Sequence, residues 1–179
     1  NESGVDAHVA KIKDQRSGEC LVLITPDNER TMNTFLGSSS LLSDNDISKE
    51  SIQESDYLLI EGYLVTSDLT LNVGVAAIDI ANENNTKTVI TLSDPNIVSF
   101  FRDNMMKLFN KKSHIVFCNE QEALNFSQTN NLKDAEVFLK ELTDMYIITL
   151  GSKGAICFDG TNDYKVMGTN KLIKDGANM

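Results

Sequence analysis

The apolar positions of this chain change period twice along its length. Val5, Ala7 and Val9 alternate with polar residues, which predicts a strand with one buried face. Residues 20–25 (CLVLIT) form a continuous apolar run and predict a second strand. Pro26-Asp27-Asn28 then carries turn chemistry, because Pro fixes φ and Asp and Asn tolerate turn geometry. The chain returns through 30–36, where Met32, Thr34 and Leu36 alternate with Thr31, Asn33 and Phe35, so 18–37 predicts a β-hairpin. A Ser-rich stretch, 38–43, turns the chain over. From residue 57 the strands become apolar throughout and alternate with helical patterns. Strands are predicted at 57–60, 87–92, 114–118 and 145–150. Between them, Ser67 or Asp68 caps a helix running to about 82, with Leu69, Val73, Ala76, Ala77 and Ile80 on one face. Asp94 before Pro95 predicts an N-cap, and Ile97, Phe101, Met105 and Leu108 lie along one stripe of the helix that follows. A third helical region runs to about 142. After Gly154 the hairpin period returns, with strands at 155–158 and 164–167 about the turn 159–162. No internal repeat or low-complexity tract is present.

Strand–helix alternation predicts right-handed crossovers and a parallel sheet, and uninterrupted apolar strands predict helices on both faces of it. Ligands of such sheets sit beyond the carboxyl ends of the strands. That rule selects Glu61-Gly62-Tyr63, Ser93-Asp94-Pro95-Asn96, Asn119-Glu120-Gln121-Glu122 and Gly151-Ser152-Lys153-Gly154.

Composition narrows the partners. The chain has 179 residues, with 16 Lys and Arg against 26 Asp and Glu, a net charge of −10. This disfavours a general nucleic-acid binder, which needs a cationic face, but not a nucleotide held by backbone N–H groups. No apolar run is long enough for a transmembrane helix, so no membrane partner is expected. The first ten residues lack signal-peptide chemistry and an initiator Met. Cys20, Cys118 and Cys157 each adjoin an apolar run, and buried thiols in a reducing, cytoplasmic setting are the simple reading. Phe100-Phe101 and Met105-Met106 read as core. His8 and His114 have no visible catalytic partner.

Asn119 and Glu122 are three apart at a helix start, which puts an amide and a carboxylate on one face beside free N–H groups. They suit phosphate oxygens and a hydrated Mg2+, Glu122 acting through water. The same spacing suits a capping box, and both readings stand on spacing alone. Thr149 to Gly154 (TLGSKG) follows a strand with two glycines that permit close backbone approach, yet has neither P-loop nor dinucleotide spacing. Alone it also reads as a tight strand-to-strand turn. Asp94 is explained by its cap role, Arg30 by a solvated hairpin edge, and Glu61 by a loop carboxylate or a hydroxyl acceptor.

The order of these segments is more telling than any one of them. GECLVLITPDNERTMNTFLG, SDYLLIEGYL, TVITLSDPNIV, HIVFCNEQEAL and YIITLGSKGAICFDG together resemble the central part of a ribokinase-like (PfkB) carbohydrate kinase, closest to the adenosine-kinase-like branch through ERTMNTFLG. The resemblance covers nearly all of 5–170. It implies a three-layer α/β sandwich with a mostly parallel central sheet and a small antiparallel β lid, incomplete at both ends. It divides the chain into a hairpin lid and lead-in, 1–42, and a partial nucleotide-binding core, 43–179. It implies transfer of the γ-phosphoryl group of ATP to a hydroxyl of a sugar or nucleoside, with ATP and Mg2+ as cofactors. Under it, Asn119 and Glu122 support phosphate and Mg2+, and Thr149, Gly151, Ser152, Lys153 and Gly154 line the nucleotide site. Arg30 matches a lid arginine that approaches the transferred phosphate, and Tyr63 a substrate-side position. A homodimer through the β lid is among the arrangements it allows. The family's Gly-Gly-Asn substrate loop has no counterpart here. Its Asp-Thr-x-Gly-Ala-Gly-Asp signature corresponds to Ile173-Lys174-Asp175-Gly176-Ala177-Asn178-Met179, where Met179 stands in place of the base Asp. A thioether accepts no proton, so the chain reads either as an excerpt of a longer enzyme or as a decayed relative, without phosphotransferase activity on its own. The alternatives are a catalytically inactive nucleotide-binding or interaction module, or a remnant without ligand.

Overall fold

The computed structural model describes residues 4–8, 12–26 and 30–168. Two sheets organise them. The hairpin predicted at the start forms as β1 (Glu19–Ile24) and β2 (Arg30–Phe35), antiparallel, with Cys20 opposite Thr34 and Ile24 opposite Arg30. Its turn residues 27–29, Val9, and the 173–179 segment lie outside the described residues. Residues 5–8 form no strand and Val5 is exposed, because a short alternation marks a face without specifying a ladder.

The larger sheet has six strands in sequence order: β3 (Tyr57–Glu61), β4 (Lys87–Thr91), β5 (Ser113–Asn119), β6 (Thr143–Thr149), β7 (Gly154–Phe158) and β8 (Asp163–Met167). The first four are parallel and the last two return antiparallel, as expected. The helices are α1 (Lys49–Gln53), α2 (Asp68–Glu83), α3 (Pro95–Phe100), α4 (Arg102–Lys107), α5 (Glu120–Ser127) and α6 (Leu132–Leu142). No described helix is long and apolar enough to cross a membrane.

Strands laid down in sequence order by same-handed crossovers put every connecting helix on one face. The row Ile60, Ile90, Val116, Tyr146 is accordingly buried beneath the helices with Leu71, Phe126 and Leu139. The opposite face is apolar and, among the described residues, only partly covered: Val89 is buried, but Leu59 is 60% exposed, Phe117 41% and Tyr164 48%. The coverage of both faces that the apolar strands led us to expect is thus complete on one alone.

Three helix details differ from the sequence pattern. α2 takes its N-cap from Ser67, which accepts a hydrogen bond from the Thr70 N–H, and buries the predicted Val73 and Ala77, but it adds Leu71, Gly74, Ile78 and Ala81 while Leu69 points out. An apolar helix carries two overlapping stripes, and packing selects one. The helix capped by Asp94 breaks at Phe101 (φ −120°, ψ 29°) into α3 and α4, leaving Phe100 80% exposed rather than in the core. The region after Asn119 divides where Gln128 turns left-handed (φ 56°) and Asn131 caps α6 anew. Of the cysteines, Cys118 is buried and Cys157 half-buried, but Cys20 is exposed, because a two-stranded hairpin has no second layer to cover it.

Candidate functional site

Parallel topology brings the four selected segments to one edge, at the carboxyl ends of β3 to β6. β5 and β6 are adjacent and in register, so Asn119 lies directly beside Thr149. Asn119 caps α5: its Oδ1 accepts from the Glu122 N–H at 2.8 Å. Glu122 reaches back, its Oε2 accepting from the Asn119 N–H at 2.9 Å and its Oε1 from the Asn119 Nδ2 at 2.7 Å. The capping box is therefore built, and it fixes both side chains at the mouth of the crevice. Glu122 is only 5% exposed. Burial raises its pKa, the Asn119 N–H opposes that, and the nearby Asp94 adds to it. Cys118, one residue before the cap, is pushed up strongly by burial and then by Glu122, so its thiol is inert.

Across the crevice, residues 149–154 close the β6–β7 connection. Leu150 and Gly154 are tied by a backbone hydrogen bond of 2.8 Å, and Gly151–Lys153 makes one 3₁₀ turn between them. The two glycines differ in kind. Gly154 has φ 105°, and a Cβ there would lie 1.9 Å from the Val166 carbonyl oxygen, so the close pairing of β7 with β8 requires it. Gly151 has φ 58°, and a Cβ there would meet nothing within 4 Å, which leaves its backbone open to a ligand. Lys153 extends from this turn to α5, with Nζ 3.5 Å from Glu120 Oε2. Among the described residues no group of three or more His, Cys, Asp or Glu is arranged to hold a metal.

The second half of the site lies at the end of β3. The hairpin leans over it and encloses a cleft of about 320 Å³, lined by Cys20, Met32 and Thr34 from the hairpin and by Glu61, Tyr63 and Thr70 from the core. Tyr63 has a raised pKa, from burial first and then from Asp94, Cys20 and Glu61, against a hydrogen bond with Thr34. Arg30 is exposed, at the tip end of the hairpin on the face of β2 that carries Met32 and Thr34, and is not among the residues lining the cleft. Between the halves, Ser93 holds φ 71° and its Oγ accepts the Gly62 N–H at 2.8 Å, joining the ends of β3 and β4. Asp94 Oδ1 accepts from the N–H groups of Asn96 and Ile97, the predicted cap. Sequence reading assigned no role to Cys20, Thr34 or Thr70, and it selected Ser93 and Glu120 only as members of strand-end segments. The hairpin alternation marks Thr34, but a left-handed serine leaves no periodic trace.

A family model described as pfkB family carbohydrate kinase matches residues 1–173. Among solved structures, the adenosine kinase of Sinorhizobium meliloti superposes with a TM-score of 0.79 at 28% identity, covering 85% of this chain and 47% of that one. A probable sugar kinase protein from Rhizobium etli CFN 42 gives 0.78 at 28%, covering 84% and 46%. The Anopheles gambiae adenosine kinase, in complex with a di(adenosine-5) tetraphosphate, gives 0.78 at 20%, covering 90% and 51%. The chain thus spans about half the length of these relatives. With a matching model along nearly its whole length and a ribokinase-like sheet, hairpin and strand-end crevice, this chain belongs to the pfkB family of carbohydrate kinases.

Proposed function

We propose that this chain binds the nucleotide for ATP-dependent phosphoryl transfer to a hydroxyl of a sugar or nucleoside. The observation that carries the reading is the register pair Asn119–Thr149, which sets the capped start of α5 against the open Gly151 turn on one crevice. In this reading Thr149, Gly151, Ser152 and Lys153 contact the nucleotide, while Gly154 shapes the turn. Asn119 orients phosphate oxygens and Glu122 holds Asn119 in place; a phosphate-borne Mg2+ would be met by Glu122 through water. When bound, Mg2+ supplies charge neutralisation on the phosphates. Arg30 and Tyr63 serve the acceptor side, Arg30 as the cation for charge on the equatorial oxygens. The adenosine kinase that holds a di(adenosine-5) tetraphosphate supports a nucleoside and a polyphosphate on this fold. The division into lid (1–42) and core (43–179), a cytoplasmic setting for three free thiols, and a lid-to-lid homodimer belong to the same proposal. The exposed Leu21, Leu23 and Phe35 on the outer face of the hairpin support the dimer.

Calorimetric titration of the 179-residue chain with Mg·ATP tests the nucleotide reading. Saturable binding that Gly151→Val abolishes is expected. No binding, or binding that Gly151→Val leaves unchanged, would sink it. In a coupled assay across nucleosides and sugars, no turnover is expected of this chain alone, since by resemblance Met179 stands where the base would be. Turnover would show that another group deprotonates the acceptor.

A further inference from the structure

We propose that Glu120 is a positioning residue that parks Lys153 until a nucleoside polyphosphate arrives. The inference rests on the nucleotide reading above and adds a residue to it. The carboxyl edge of the sheet is acidic: Glu61, Asp94, Glu120 and Glu122 stand at the ends of β3, β4 and β5, and at the ends of β5 and β6 Lys153 is the cation. A bound polyphosphate would face these carboxylates, so the lysine decides whether the crevice accepts it.

Lys153 is not directed into the crevice by packing. It stands on a one-turn connection, its side chain 72% exposed, with its Nζ 3.5 Å from Glu120 Oε2. Glu120 is the first residue of α5, directly after the Asn119 cap, and its side chain is 40% exposed. Glu122, two residues on, is fully engaged in the capping box and stays buried. The two glutamates of this segment therefore do different work. Glu122 fixes the cap, and Glu120 pairs with an exposed cation across the mouth.

The pair is long and solvated, which makes it weak and exchangeable. A polyphosphate offers Lys153 a denser negative charge and several acceptor oxygens. On binding, Lys153 leaves Glu120 for the phosphates, and nothing covalent forms. Glu120 thus keeps the lysine close to its working position without spending its charge. Its carboxylate also competes with ligand, so removing it favours binding as long as Lys153 is present.

A double-mutant cycle on the full chain tests this, with Kd for Mg·ATP from calorimetry in low salt. Glu120→Gln is expected to tighten binding roughly three-fold, the size of one exposed ion pair, and Lys153→Met to weaken it roughly ten-fold. In the Lys153→Met background the gain from Glu120→Gln is expected to vanish. If Glu120→Gln tightens binding equally in both backgrounds, Glu120 only repels phosphate, and the exchange is overturned while the nucleotide reading stands. If Glu120→Gln weakens binding, Glu120 supports α5 rather than parking the lysine. If the wild-type chain binds no Mg·ATP, both readings fall together. The melting temperature of each ligand-free variant is measured in parallel, and the proposal expects it to move by no more than about 2 °C.

Discussion

Gly151 and Gly154 sit three residues apart in one turn, and alanine at each should have opposite consequences. At Gly154 the backbone holds φ 105° and ψ −133°, a region that residues with a Cβ avoid. Conformational strain there is about 1–3 kcal/mol. The added methyl would also sit 1.9 Å from Val166 O and 2.6 Å from Gly168 N, where contact needs more than 3 Å. Relief requires β8 to move away, which breaks the register Gly154–Met167 and Ala155–Val166. Together these give a loss of roughly 3–5 kcal/mol, the range of severe substitutions with a named steric cause. For a chain of this size that is a fall in Tm of roughly 10 °C. At Gly151 the methyl meets no atom within 4 Å, so only the left-handed φ of 58° costs stability. That is about 1 kcal/mol and a Tm shift of roughly 3 °C. Urea denaturation followed by far-UV circular dichroism, with calorimetric Mg·ATP titration, separates the effects. Gly154→Ala should lower the denaturation midpoint strongly. Gly151→Ala should barely move it and should weaken nucleotide binding, because its methyl projects into the open side of the turn. Equal stability losses at the two sites would refute the reasoning, as would a Gly154→Ala loss below about 1 kcal/mol.

Four further outcomes are expected. Asn119→Ala removes the N-cap and strands the Glu122 carboxylate, so it should destabilise by about 2 kcal/mol in chemical denaturation, more than Glu122→Gln, which keeps one acceptor. Because burial raises the Glu122 pKa, the folded state holds this proton more tightly than the unfolded chain. Stability from this group is therefore full below the usual carboxylate range and falls as pH rises through the raised value; the Glu122→Gln chain should lose that segment of the pH–Tm profile. Phe126 is fully buried with Phe109 and Phe138 each 5.4 Å away, so Phe126→Ala should cost about 4 kcal/mol by denaturant titration, and a smaller loss would mean the cluster collapses onto the gap. On the partly covered sheet face, Leu59→Lys with Phe117→Lys should reduce binding of a hydrophobic dye and raise solubility with little change in Tm, since both side chains are exposed; unchanged dye binding would show that the face is covered in solution.

The parts of this molecule that speak through short-range chemistry were legible in its sequence. Asp94-Pro95, Ser67 and Asn119 each announce a helix start, and each caps one. The six-stranded sheet and both hairpins follow from period and turn residues. The strand-end rule gathers Tyr63, Asn119 and Gly151 at one edge before any contact is known. What was hidden depends on the third dimension. The break at Phe101 has no proline or glycine to mark it. Leu69 and Leu71 are equally apolar, and only packing against the sheet decides which is buried. TLGSKG contains two glycines that look alike in sequence, yet one is required by a strand pairing 12 residues downstream, at Val166, and the other by nothing in the fold. The pairing of Lys153 with Glu120 joins segments that are distant along the chain, and charge patterning within either reveals neither partner.

The strictly sequential order of the six strands has a bearing on how the chain acquires its shape. Tyr57 meets Lys87, Val89 meets Ile115, and Ser113 meets Thr143, so each parallel strand docks on the one made just before it. No early strand waits for a distant late one, and loop-closure entropy stays small at every addition. Contact order is therefore low for a parallel sheet, which favours fast folding. On a ribosome, β3 with α2 can receive β4 while α5 is still unmade, and the sheet grows in the direction of synthesis. The crevice between β5 and β6 is then completed only when the β7–β8 hairpin emerges and pulls the Gly151 turn into place. Within residues 57–168 the β5–β6 edge thus takes its final form after the hydrophobic interior has begun to close.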